Sequence, residues 1–301
     1  MNIIFATYAV KREDLLYNYL LANSIRDFAG NMSEISLKIY YSSDLSVQDS
    51  MDKFSGLNVR FSEFPATRVD TAYPFKSAAA AACEADVKEG NVIWLDRHMI
   101  VLNPCANLLL NPLEQFAYRP PHLKLLAASV DEPINQMWKT AFNIAGIIET
   151  DLFPVYTEVD KECIWSYFSA GHYSFRAESG LMGKWDTLFN QLLEHKEMKP
   201  FLDNAITEDA EYIRIYLHQI ALSLTVLKNL KITELKPLPI YYGYPLHLHD
   251  DIEQYYRVSQ MEQCHTAFYS WEYCTPSELI SEKLAFWIQN KAKIFQGRRE
   301  I

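Results

Sequence analysis

The chain has 301 residues, 49% apolar and 14% aromatic, enough to bury the core of a large α/β domain. A net charge of −10, from 28 basic against 38 acidic residues, denies it the basic surplus that holds proteins on nucleic acid or an anionic membrane. Glycine is scarce, at nine residues, and G-x-G-x-x-G, G-x-x-x-x-G-K-[ST], G-x-S-x-G and H-E-x-x-H are all absent. Dinucleotide enzymes of the usual kind, P-loop NTPases, elbow-type hydrolases and one class of zinc hydrolase are thereby excluded.

In chain order, Asn2–Tyr8 is β-rich and reads as a first strand, not as a signal peptide. Arg12–Phe28 carries Leu15, Leu16, Tyr19, Leu20 and Ile25 at helical spacing. Ile35–Tyr41 and Asn58–Phe64 are further strands. Phe75–Lys88 holds five consecutive alanines before Gly90 and predicts a helix. Val92–Leu95 is wholly apolar, as a strand buried on both faces should be, and Leu123–Val130 repeats that character. Such alternation predicts an α/β fold with a doubly wound, mainly parallel sheet flanked by helices.

The second half reads as mixed α+β. Cys163–Arg176 predicts a strand pair or one bent strand; Leu181–His195 and Glu211–Asn229 predict amphipathic helices. Leu238–Asp250 is an aromatic loop region, Thr266–Glu272 a strand, and Ser277–Phe295 a closing helix behind Pro276. We expect one domain over 1–301, with a nucleotide-binding half at 1–130 and an acceptor half at 131–301. Five cysteines without C-x-x-C spacing fit a reduced, cytoplasmic protein, and no stretch approaches the ~20 apolar residues of a transmembrane span.

Chemistry concentrates in Val92-Ile-Trp-Leu-Asp-Arg-His-Met-Ile-Val-Leu102, where Asp96, Arg97 and His98 interrupt an apolar run. Charged groups are costly inside a core, so these three belong at the carboxyl end of a central strand, where open α/β sheets place ligands. The competing reading is a strand end with an internal ion pair. His247 and His249 beside Asp250 and Asp251 offer a second metal-type spacing, and Tyr241, Tyr242, Tyr244, Tyr269 and Trp271 offer stacking surfaces or packing. Asp131 and Glu132 follow a predicted strand, where a general base could sit.

The segment Asn91–Pro104 resembles the strand-plus-D-x-D element of GT-A-fold glycosyltransferases, with Asp96 as the first acid and Pro104 as the trailing proline. Tyr73-Pro-Phe-Lys76 with its alanine helix is similar to the element before that strand. Tyr167–Arg176 resembles the family's F-N-A-G strand, Tyr212–Leu227 with His218-Gln219 the following helix, and Cys264-His265 the late metal-binding histidine. The resemblance implies transfer of a sugar from a nucleotide-diphosphate sugar to an acceptor it does not identify. It places Thr7 and Tyr8, in the Thr7–Lys11 stretch, beside the nucleotide. Asp96 would face the ribose or a metal, Arg97 and His98 the diphosphate; Ser169, Ala170, Gly171 and His172 would face the acceptor, and Lys76 and Gln219 would also bind substrate.

Three positions depart from the pattern: His98 replaces the second acid, Ser169 the asparagine, and His218 the acid before Gln219. Three readings follow. A metal-independent transferase would stabilise the departing diphosphate with Arg97, Lys76, Arg68 or protonated His98. A metal enzyme would hold the ion with Asp96, His98 and His265, a mixed set that prefers Mn²⁺ over Mg²⁺. A non-catalytic sugar-nucleotide-binding or scaffold protein would have lost turnover. A nucleotidyltransferase needs a glycine-rich first loop, which Thr7–Lys11 lacks.

Overall fold

A computed structural model describes residues 2–65, 75–203, 210–269 and 277–297. In chain order the elements are β1 (Ile3–Ala9), α1 (Arg12–Phe28), β2 (Leu37–Ser42), α2 (Gln48–Met51), β3 (Val59–Phe64), α3 (Phe75–Val87), β4 (Asn91–Leu95) and β5 (Met99–Val101). Then come β6 (Phe116–Tyr118), α4 (Gln136–Ala145), β7 (Pro154–Tyr156), β8 (Cys163–Trp165), β9 (His172–Arg176), α5 (Leu181–Glu194), α6 (Lys199–Leu202) and α7 (Ala210–Asn229). The last are β10 (Leu235–Pro237), β11 (Tyr242–Tyr244), β12 (Thr266–Phe268) and α8 (Glu282–Phe295). The α/β class and the parallel pairing match the sequence pattern.

The chain divides into two compact units, the first built from 1–65, 91–109 and 238–301, the second from 66–90 and 110–237. In the first, β4, β1, β2 and β3 lie side by side and all three pairings are parallel, with Ala6 opposite Trp94 and Thr7 opposite Ile39. All five residues of β4 are buried, which accounts for the apolar run Val92–Leu95 within it. A smaller sheet in the same unit orders β11, β12 and β5. Helices α1 and α8 pack on each other, joined by Trp287 Nε1 donating to Asp27 at 2.8 Å and Lys291 Nζ to Asn23 at 2.7 Å.

In the second unit β6 pairs parallel with β10 and antiparallel with β9, and β7 with β8 forms an antiparallel hairpin. Helix α5 packs on α3, α4 and α7. Trp185, on its buried face, meets Tyr173 of β9 edge-on at 6.1 Å, and its Nε1 donates to the His218 carbonyl at 2.7 Å. A buried indole N–H needs such a partner.

Some expectations need correction. Leu123–Val130 is not a strand; only Ser129 joins an isolated bridge, to Ile164. Leu125 sits at φ 43°, the Lys124 amide is taken by Asp160, and Trp138 Nε1 claims the Leu126 carbonyl at 2.6 Å, so the segment is folded by side chains instead of a ladder. Asp131 and Glu132 therefore follow a turn. Leu238–Asp250, expected to be loop, contains β11. The closing helix starts at Glu282, capped by Ser281 Oγ accepting from Leu284 at 3.1 Å, with only a 3₁₀ turn at Ser277–Leu279. Arg68, Tyr73, Trp271, Cys274 and Pro276 lie outside the described residues.

Candidate functional site

In the first unit the chemistry gathers where β1 and β4 end. Strand β4 stops at Leu95, and Asp96–His98 form a tight turn into β5, with the Met99 amide donating to the Asp96 carbonyl at 2.9 Å. Asp96 and His98 are buried. Arg97 turns to helix α1: its Nε lies 3.2 Å from Asp14 Oδ1, and its Nη1 donates to Asp14 Oδ2 at 3.2 Å. Asp14 is wholly buried and Arg97 is 13% exposed. The same carboxylate accepts the backbone N–H of Val10 at 2.9 Å and of Lys11 at 3.1 Å, where an acid in the first helical turn also meets the favourable end of the helix dipole. The guanidinium lies 5.4 Å from the ring of Tyr8, which stacks on Trp94 of β4.

Arg97 thus ties the turn after β4 to the connection after β1. Its charge is already balanced by Asp14, so the internal ion pair foreseen as the competing reading exists. Thr7 has no exposed surface and Tyr8 almost none. The His98 ring lies 4.4 Å from that of Tyr17, and its carbonyl accepts the Tyr269 amide at 2.7 Å. Burial, with Tyr17 nearby, pushes the Tyr269 phenol well above its usual range.

His265 stands apart from this turn. Strands β5 and β12 pair antiparallel, Met99 opposite Phe268 and Val101 opposite Thr266. His98 and His265 therefore lie at opposite ends of the ladder, about 13 Å apart by strand rise. The His265 ring stacks on Tyr242 at 4.5 Å with 4° between planes, and its Nδ1 lies 2.6 Å from the Pro104 carbonyl. Among the described residues no three His, Cys, Asp or Glu side chains are grouped to hold a metal ion. Asp96, His98 and His265 do not fit a shared divalent cation. His247 and His249 sit in a 3₁₀ stretch, Leu246–Asp251, not on a strand, and His249 Nδ1 is 3.0 Å from the Tyr244 hydroxyl. Tyr242 and Tyr244 are buried packing residues, and burial raises the Tyr244 phenol to about 12.

In the second unit the stretch Tyr167–Gly171 runs between β8 and β9 with every amide from Phe168 to Gly171 accounted for. Phe168 N–H donates to Ser223 Oγ at 2.9 Å, Ser169 N–H to the Arg119 carbonyl at 2.8 Å, Ala170 N–H to Gln219 Oε1 at 3.3 Å, and Gly171 N–H to Ser169 Oγ at 3.3 Å. Buried amides need partners, and side chains of α7 supply two of them. Burial also drives the Tyr167 phenol far up, with Tyr216 adding to the rise and a hydrogen bond to Gln219 opposing it. Gln219, expected to bind substrate, has its side-chain oxygen on the backbone of the Tyr167–Gly171 stretch. Lys76, in the first turn of α3, is buried.

Beside this stretch, buried Arg119 pairs with Glu158, whose Oε2 also lies 3.0 Å from His122 Nδ1. Neither this cluster nor Asp14 and Ser223 stood out in the sequence. Asp14 carried one signal, an acid in a helical first turn, and Ser223 another, a polar residue four after Gln219 on a buried helix face. A cavity of about 570 Å³ in this unit, bordered by Glu84, Lys184, Gln191, Thr225 and Lys228, holds none of the expected site residues.

A family model described as the Rhodobacterales glycosyltransferase domain matches residues 8–229. The chain belongs to this family. The match begins at Tyr8 and takes in the Asp96–His98 turn, the Tyr167–Gly171 stretch and the whole of α7. No curated protein matches this glycosyltransferase-family chain. Among solved structures, the galactosyltransferase LgtC in complex with donor and acceptor sugar analogs is similar at 13% identity, covering 100% of this chain and 97% of that one, with a TM-score of 0.49. No helix among the described residues is long and apolar enough to cross a membrane.

Proposed function

We propose that this glycosyltransferase-family chain moves a sugar from a nucleotide-diphosphate sugar to an acceptor, working as one domain with a donor side and an acceptor side. The observation that carries the reading is the charged turn Asp96–Arg97–His98 at the carboxyl end of buried β4, cross-tied to the connection after β1 through Asp14. Ligands of parallel α/β sheets bind beyond those strand ends. In this reading Asp96 faces the ribose, and His98 faces the diphosphate. Arg97 holds the two loops in register instead of gripping phosphate, because its charge is matched by Asp14.

The departing nucleoside diphosphate gathers negative charge as the glycosidic bond breaks, and a preorganised cation lowers that barrier. His98, at the turn after β4, is the expected residue of the first unit that meets this charge. No step is assigned to a metal, since the expected ligands do not converge. Ser169, Ala170 and Gly171 take the acceptor side, where a fixed backbone gives the acceptor a set position.

A thermal-shift series with UDP, GDP, CDP, dTDP and their common sugars tests the donor side. A nucleotide at 100 times its dissociation constant adds ~2.7 kcal/mol of stability, a rise of a few degrees in Tm. A rise with one base family supports the reading and names the donor class; a flat response to every nucleotide moves the function to a scaffold without donor binding.

A further inference from the structure

We infer that Gln219 and Ser223 are positioning residues for the acceptor-side stretch Phe168–Gly171, an inference that rests on the transferase reading above. They stand four residues apart on the buried face of α7 and serve alternate amides of one connecting segment. In a sheet this work belongs to a neighbouring strand, whose carbonyls are spaced by the backbone itself. Here two side chains of a helix do it, so the placement of the segment depends on their identity.

Ser223 is the more demanding of the two. Its hydroxyl accepts from Phe168 N–H at 2.9 Å and donates to the Gln219 carbonyl at 2.9 Å, so both functions of the group are in use. The Gln219 side chain separately accepts from Ala170 N–H. The linked pair through the Ser223 hydroxyl, Phe168 N–H to Oγ and Oγ–H to the Gln219 carbonyl, reinforces itself in a buried setting. Phe168 and Ser223 are both fully buried, so no solvent replaces a lost partner. Between these two contacts, the Ser169 N–H donates to the Arg119 carbonyl. Removing either α7 acceptor frees one flank of the stretch while leaving the hydrophobic contacts of α7 in place.

The test compares wild type, Ser223→Ala and Ser223→Thr for nucleoside diphosphate released from UDP-, GDP-, CDP- and dTDP-sugars, with water or methyl glycosides as acceptor. Ser223→Ala is expected to lower kcat about tenfold with donor KM within about twofold, and Ser223→Thr, which keeps the hydroxyl, to restore it. Unchanged kcat in Ser223→Ala, or a fall in kcat that Thr does not rescue and that tracks a lost Tm, overturns the positioning role alone. A wild type inert towards every donor overturns the transferase reading, and the positioning role with it.

Discussion

Arg97 and Asp14, separated by 83 residues in the chain, meet through two contacts of 3.2 Å, and Asp14 spends its remaining acceptor capacity on the backbone that opens α1. The strand end that carries the charged turn is thereby fastened to the loop that follows β1. An arginine fork matches a carboxylate in two directions at once, so this fastening fixes angle as well as distance.

Arg97→Ala strands a wholly buried carboxylate. Breaking one side of such a pair costs about 3 kcal/mol, at the lower end of the usual range because two backbone donors still face Asp14. Urea denaturation of Arg97→Ala, Asp14→Ala and the double variant checks this. The double variant should be less destabilised than the sum of the singles by about 1 kcal/mol or more. Strict additivity would mean that the pair does not couple the two loops.

Glu84 gives the pH prediction. Burial raises its carboxyl above 4.5, while the amides of Gly183 and Met182 and the Ser179 hydroxyl pull it back. An acid whose folded pKa lies above its unfolded one contributes stability below the unfolded value, and loses it as pH rises through the folded one. Wild type should therefore lose stability relative to Glu84→Gln as pH climbs from about 4 towards 7. Parallel stability curves for the two proteins would show that Glu84 titrates alike in both states.

His98→Asp rebuilds a pair of acids two residues apart beside Asp96. If this turn faces the diphosphate, Mn²⁺ should raise nucleoside diphosphate release by His98→Asp and leave wild type less affected. The lost ring contact with Tyr17 costs about 1 kcal/mol and a second buried carboxylate beside Asp96 adds to it, so Tm is recorded alongside activity. An identical Mn²⁺ response in both proteins would place the turn away from the diphosphate.

The first half of the fold was legible because its signals are local and mutually consistent. Helix α1 begins and ends where its spacing predicts, and the alanine run gives α3. Helix α4 carries only weak local signals: Asn135 caps its start, accepting from Trp138 N–H, and Gly146 ends it at φ 70°. The apolar content of its neighbour Leu123–Val130 suggests a strand, yet the partners that shape it, Asp160 and Trp138, are distant in sequence or across a turn.

The site was half legible for the same reason. The charges of Asp96–His98 mark a strand end on composition alone. That Arg97 would be claimed by Asp14 depends on how α1 follows β1. That His265 would fall at the far end of a ladder from His98 depends on strand register, which no spacing in the sequence encodes.

The central claim is turnover at the Asp96 turn. The direct measurement is release of nucleoside diphosphate from UDP-, GDP-, CDP- and dTDP-sugars by wild type and by Asp96→Ala, with Tm recorded for both. Wild type should release nucleoside diphosphate from one donor class, and Asp96→Ala should lose at least about a hundredfold, with Tm changed by only a few degrees. Release that survives Asp96→Ala unchanged, or a wild type that cleaves none of the donors, would contradict the claim.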